Sequence, residues 1–266
     1  MISKIQEKRI KSLYSKKGRL KNNNFIIEGE RSLLTAIDND VKIKNIVLNK
    51  SFIEKNKNLT KYNKYKITVV DDKCFSQLSQ VDSPSGILAE AAIPLNSKIN
   101  PNFPLVYLDQ ISDPGNLGTI IRTCDWFGIK QIGISPNSVE FYNPKVVRSA
   151  MGSHFNLKYL GTPKSEDLNK FSLIGADFNK GKDINDISNP KNWALVMGSE
   201  ASGISKTMNE KISSKYFNFV VIPEHDNPVS GDNILNSRGA LHYLDEEDLK
   251  NTNLKNENVI TFILGG

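Results

Sequence analysis

In this chain, the residue types that can do chemistry on an anionic substrate gather in two short stretches. The first runs Leu108-Asp109-Gln110-Ile111-Ser112-Asp113-Pro114-Gly115-Asn116-Leu117-Gly118-Thr119-Ile120-Ile121-Arg122-Thr123. It reads as the end of a strand, a Pro-Gly turn and the start of a helix. Asn116 and Arg122 stand six residues apart, nearly two helical turns, so their side chains can share one side of the strand's carboxyl end, where parallel α/β sheets hold ligands. The second stretch, Ala194-Leu195-Val196-Met197-Gly198-Ser199-Glu200-Ala201-Ser202-Gly203-Ile204, is an apolar strand entering a turn. Gly198 would admit close backbone approach to a ligand, and Glu200 lies just past the strand end. Plainer roles stand beside these: Asn116 as a helix cap, Arg122 paired with Asp113 or Asp125, Gly198 as a turn glycine and Glu200 as a cap.

Other chemistries find no support. His154, His225 and His242 show no metal-ligand spacing, which points to satisfied or exposed histidines and to no metal site. Cys74 and Cys124 are far apart and form no C-x-x-C pair, the pattern of two reduced, partly buried thiols. Neither a G-x-S-x-G elbow nor a G-x-G-x-x-G fingerprint occurs, so hydrolase and Rossmann-type cofactor sites are not indicated. The acidic run Asp245-Glu246-Glu247-Asp248 reads as a solvated helix end.

The elements that must position these groups fall into two α/β halves. Residues 2–20 read as a short basic helix and a flexible loop. Strands are expected at Phe25–Ile27, Ile43–Leu48, Lys66–Val70 and Gly86–Ala91, with Glu28-Gly29-Glu30-Arg31 as a turn into a helix through Ile37, a helix or loop over Asn49–Lys57 and a helix from Asp71 to Leu78. Pro94 to Pro104 has the composition of a linker. Beyond it, apolar runs at Leu105–Leu108, Gln131–Ile134, Leu173–Ala176, Trp193–Met197 and Phe217–Ile222 suit a buried parallel sheet, with helices over Gly115–Phe127 and Lys145–Gly152. The divisions expected are 1–95, a linker over 96–104, a second domain over 105–250 and a polar tail over 251–266.

At 266 residues, two domains with separate cores are the natural expectation. Residues 1–100 hold 19 Lys+Arg against 10 Asp+Glu, net +9, and the remainder 16 against 19, net −3. A basic first half attached to a slightly acidic second half suits a protein that holds an anionic polymer with one part and does chemistry with the other. A lysine-rich solvated face would give the same balance. No run of about 18 apolar residues occurs and Met1-Ile2-Ser3-Lys4 lacks an apolar signal core, so no membrane span is expected and a cytoplasmic location is.

The Asp113-Pro114-Gly115-Asn116-Leu117-Gly118 segment followed by Arg122 resembles motif 1 of the SpoU/TrmH methyltransferases. Asn143-Pro144-Lys145-Val146-Val147-Arg148-Ser149-Ala150-Met151-Gly152-Ser153 is similar to the stretch after that family's second strand, and Ala194 to Ile204 to its motif 2. Phe25-Ile26-Ile27-Glu28-Gly29 and Ser83-Pro84-Ser85-Gly86-Ile87 resemble the start and end of its substrate-binding domain, so the likeness spans roughly residues 12 to 223. The third motif departs from the pattern. Ile222-Pro223 is present, but the usual Ser-Leu-Asn triplet is missing, and two registers remain open: Ser230 with Asn233, or Asn236 with Ala240.

The resemblance implies an α/β fold whose first domain is a small sandwich like ribosomal protein L30e and whose second is a trefoil-knotted parallel sheet of the SPOUT type. It further implies a homodimer and S-adenosylmethionine-dependent RNA 2′-O-ribose methylation, on ribosomal rather than transfer RNA. Arg122, Asn116, Glu200, Ser230 and Asn233 would carry the reaction, and Gly198, Met197, Ile222 and Pro223 would hold the cofactor. The altered third motif leaves a second reading, a catalytically weak or inactive RNA-binding factor in ribosome assembly.

Overall fold

The computed structural model describes residues 2–56, 58–176, 182–183 and 191–217. In chain order the elements begin with α1 (Lys4–Ser12), α2 (Lys16–Asn22), β1 (Asn24–Glu28), α3 (Glu30–Asp38), β2 (Ile43–Asn49), α4 (Lys50–Lys55), β3 (Ile67–Val70), α5 (Asp72–Leu78) and β4 (Ile87–Ala92). They continue with β5 (Leu105–Leu108), α6 (Pro114–Trp126), β6 (Gln131–Ile134), α7 (Pro144–Ser149), β7 (Lys158–Tyr159), α8 (Ser165–Leu168) and β8 (Ser172–Ala176). The last are β9 (Lys182–Asp183), β10 (Trp193–Met197), α9 (Lys206–Asn209) and β11 (Ser214–Phe217). Two compact units result, Met1–Asn96 with Glu140–Asn156, and Ser97–Val139 with the chain from Leu157 onward.

The first unit is built on a four-stranded sheet in the order β1-β4-β2-β3. It is mixed: β4 runs antiparallel to both β1 and β2, while β2 and β3 are parallel. The basic start is two helices and not a helix with a loop, because Ser3 closes a capping box with Gln6 and Ser15 accepts the amide of Gly18 to start α2. Phe25, Ile27, Leu33, Ile46, Leu48 and Ala89 form one core and Ile10, Leu13, Ile26, Val47, Phe75 and Leu88 another.

Glu140–Asn156, which sequence order puts in the second domain, packs with this first unit. Phe25 lies 4.8 Å from the ring of Tyr142 and 6.3 Å from that of Phe155. Val147 of α7 joins the first of the two cores. His154 is neither satisfied nor exposed. It is 2 % exposed, stacked 4.0 Å from Phe141, and neither ring nitrogen has a partner among the described residues. Burial alone drops its pKa to about 3, so the ring is neutral.

The second unit holds a seven-stranded sheet in the order β7-β6-β5-β10-β8-β11-β9, with every described pairing parallel. Buried on both faces, β5 and β10 read Leu-Val-Tyr-Leu and Trp-Ala-Leu-Val-Met. The chain moves outward from β5 through α6 to β6 and β7, then crosses to β8 and returns to insert β10 beside β5. Strand order therefore reverses between β5 and β10, and a parallel sheet opens a crevice at the carboxyl ends of the strands at such a point.

The segment expected to be a linker is tied down from Ser97 onward. Ser97 donates its amide to the carbonyl of Tyr159 at 2.8 Å, and the buried Gln131 amide accepts from Asn100 N–H and donates to the carbonyls of Asn100 and Phe103. A fully buried amide must find such partners. The last sheet strand starts at Ser214, before the expected Phe217. Ile222, Pro223, Ser230, Asn233, Asn236, Ala240, the tail and the threading of a knot lie outside the described residues. Among those described, no helix is long and apolar enough to cross a membrane.

Candidate active site at the strand-order reversal

Two loops flank the carboxyl ends of β5 and β10. After β5 the chain turns sharply at Gln110, which takes a left-handed conformation (φ 61°). Its amide donates to Ser135 Oγ at 2.8 Å and that of Ile111 to Ser138 Oγ at 3.1 Å, so hydroxyls from beyond β6 hold the turn. Helix α6 then begins with Asp113 as its cap, accepting the Asn116 amide at 2.9 Å, and with Pro114 in the first turn, where a missing N–H costs nothing. Asn116 is therefore not the cap, and its side chain is available for another partner.

That partner is Glu200. Asn116 Nδ2 donates to Glu200 Oε1, joining the first turn of α6 to the loop after β10, 84 residues away in sequence. The Glu200 loop is a closed turn: the Ser199 and Gly203 amides each donate to the other's carbonyl, at 3.1 and 2.8 Å. The Ser199 and Ser202 hydroxyls lie 2.6 Å apart across it.

Gly198 has no room for a side chain. A Cβ built on it would stand 2.1 Å from the Gly203 carbonyl carbon and 2.2 Å from the Ile204 nitrogen. The close approach is the protein's own backbone, folding back over the strand end beside the buried Met197.

Arg122 is half-buried on α6. At about 100° per residue, six residues leave it about 120° around the helix from Asn116, so the two do not share a straight face. Asn116, Thr119, Arg122 and Asp125, all half-buried and every third in sequence, form a stripe that slants around the helix.

Asp109, given no role by sequence, closes the site from beneath. It is 3 % exposed, its amide donates to the Met197 carbonyl at 2.8 Å, and its Oδ2 accepts the Ser205 amide at 2.8 Å, so one residue fastens the end of β5 to both sides of the β10 loop. An acidic residue immediately after an apolar strand was its only signal. Beside it Tyr107, 4 % exposed, has its hydroxyl pushed up to about 12 by burial and by the Asp109 charge, and so remains a neutral donor. Cys124 is fully buried in α6, which raises its thiol pKa and leaves it inert. No group of three His, Cys, Asp or Glu suited to a metal is present among the described residues.

This geometry can fix an arginine-bearing helix against a crevice at the strand ends, an arrangement suited to orienting a substrate phosphate or oxyanion beside a second ligand. Comparisons with known proteins agree with it. Residues 104–230 match the SpoU rRNA Methylase family and residues 4–89 the MRM3-like substrate binding domain. A third model, Mitochondrial fission ELM1, matches residues 199–266 and overlaps the SpoU match. The chain is 28 % identical over 209 residues to the 23S rRNA (guanosine(2553)-2′-O)-methyltransferase RlmP of Bacillus subtilis, covering 76 % of this chain and 82 % of that protein. It is 30 % identical over 154 residues to the mitochondrial rRNA methyltransferase 3 of Xenopus laevis, covering 54 % of this chain but only 36 % of that longer protein. Among solved structures, an AdoMet-bound rRNA methyltransferase from Sinorhizobium meliloti superposes with a TM-score of 0.70 at 25 % identity, over 86 % of this chain and 90 % of that one.

Proposed function

We propose that this chain, whose residues 104–230 match the SpoU rRNA Methylase family and residues 4–89 the MRM3-like substrate binding domain, methylates a ribose 2′-hydroxyl of ribosomal RNA with S-adenosylmethionine as methyl donor. The observation that carries this reading is the Asn116–Glu200 hydrogen bond across the strand-order reversal, which fastens the helix bearing Arg122 to the loop after Gly198. The relatives named as rRNA 2′-O-methyltransferases support the same reading, and nothing in them favours an inactive assembly factor.

The residues present fit the cofactor. The carboxyl ends of β5 and β10, beside Met197, Gly198 and the Ser199–Gly203 turn, are where an open parallel sheet takes a ligand. Ile222 and Pro223 would complete that side, and Ser230 and Asn233 would close over it. When bound, S-adenosylmethionine supplies an electrophilic methyl group on a positively charged sulfur.

The protein's part is orientation and charge. The 2′-hydroxyl loses its proton as its oxygen attacks, so negative charge grows where Arg122 can meet it. A guanidinium with a pKa above about 12 is a poor base and a good bidentate clamp, which assigns Arg122 to the target phosphate and the developing alkoxide. Asn116 and Glu200 act through it, as positioning residues. We further infer a homodimer working in the cytoplasm, with the basic first unit holding RNA. Calorimetric titration of the intact protein with S-adenosylmethionine tests the reading: micromolar binding is expected, and no binding to the folded protein would overturn it.

A further inference from the structure

A cavity of 210 Å³ opens at the carboxyl ends of β5 and β6; it shares Tyr107, Asp109 and Gln110 with the site described above and includes neither Asn116, Arg122 nor Glu200 among its lining residues. Its floor carries Tyr107, 4 % exposed, whose hydroxyl has no hydrogen-bond partner among the described residues. At the other end Lys211, the single cation of the lining, donates to Ser165 Oγ at 2.5 Å, with Thr207 beside them on the wall. Pro136 and Pro163 supply flat apolar walls.

Tyr107 lines the cavity, and its hydroxyl can donate to an acceptor that enters it. The volume is below the roughly 300–1,000 Å³ of sites for drug-sized ligands, so the cavity takes one nucleoside-sized group and not a folded segment. One ammonium among hydroxyls matches one phosphate, whereas the buried Asp109 carboxylate in the same lining disfavours a free di- or triphosphate. Single-stranded RNA offers splayed bases with polar edges and ribose hydroxyls.

We propose that this cavity receives one unpaired nucleotide of the RNA, its base or ribose bonded to Tyr107 and its phosphate held by Lys211 and Ser165 at the rim. The assignment rests on the methyltransferase reading for its choice of RNA, but it can fail separately.

Intact protein without S-adenosylmethionine would be titrated with the four nucleoside 5′-monophosphates and with inorganic phosphate. At least one monophosphate should bind more tightly than phosphate, and Tyr107→Phe and Lys211→Ala should each weaken it about fivefold or more. In methylation assays on ribosomal RNA both variants should raise KM with kcat and cofactor affinity unchanged. Only Lys211→Ala should lower the salt slope of RNA binding, by about one. Tyr107→Phe keeps the ring and its packing, so folding is not at stake. Equal binding of phosphate and monophosphates, or a wild-type KM in both variants, would overturn the proposal. Absent methyl transfer by the wild type, with monophosphate binding intact, would count against the methyltransferase reading alone.

Discussion

The two sheets treat buried polar side chains in opposite ways. In the first unit they sit in mid-strand. Glu90, 1 % exposed, accepts Arg9 Nη2 at 2.7 Å and Asn24 Nδ2 at 2.6 Å, and Thr68 Oγ1 donates to Asn45 Oδ1 at 3.0 Å. Arg19, 2 % exposed, donates to the Leu13 carbonyl and to Glu140. In the second unit β5 and β10 are apolar throughout, and Asp109 and Ser135 stand just beyond strand ends. A parallel sheet buried on both faces tolerates polar groups only where the strands stop, whereas a sheet crossed by a basic helix can take them from arginines that reach in. Polar groups in the first unit hold the fold; in the second, Gln131 does so at the start of β6, while Asp109 and Ser135 stand at the strand ends where a ligand enters.

Gly198→Ala is the most damaging way to break this comparison. Its Cβ meets backbone that cannot yield, so a loss on the order of 3 kcal/mol is expected, lowering Tm by about 6–12 °C. Thermal melting with cofactor titration would check this, and a variant with normal Tm would mean the Gly203 turn is not held as described.

Glu90→Ala tests whether mid-strand polar groups are structural. Leaving Arg9 and Asn24 unpaired should cost about 2 kcal/mol, below the usual cost of breaking a buried pair because Arg9 is 41 % exposed and can rehydrate. Denaturant unfolding should register this loss, with methyl transfer at low temperature unchanged. Lost activity in a protein of normal stability would assign Glu90 to the reaction.

His154 sharpens the contrast by pH. The unfolded state binds a proton near the ordinary histidine value of 6.5, while the folded state stays neutral to about 3. Below pH 6.5 the unfolded state therefore holds the extra proton, and stability falls by about 1.4 kcal/mol per pH unit on this account until about pH 3. His154→Phe should flatten that part of a stability profile measured between pH 7 and 4; an unchanged slope would show that the histidine is not buried neutral.

Much of the site could be read from local pattern. Helix α6 was legible to within one residue of its start, although its cap is Asp113 and not Asn116, and Glu200 stood out because it lies just past an apolar strand. Strand pairing was not legible: nothing local to Trp193–Met197 shows that it inserts beside β5, the step that brings Glu200 to Asn116. Glu140–Asn156 was misplaced because sequence order puts it between β6 and β7, while its aromatic rings meet Phe25 of the first unit. Of the charge in residues 1–100, the +9 already cancels Arg9 against Glu90, while Arg19 is paired with Glu140 from outside that range.

Arg122 is the centre of the account, and mapping of 2′-O-methyl groups on ribosomal RNA tests it most directly. Cells lacking the protein should lose methylation at a defined ribose. Wild-type protein should restore it, while Arg122→Ala should not, since losing a transition-state charge partner costs about 3 kcal/mol or more, over a hundredfold in rate. Arg122→Lys should restore little, because an ammonium cannot reproduce the planar fork. Identical maps with and without the protein, or full restoration by Arg122→Ala, would contradict it.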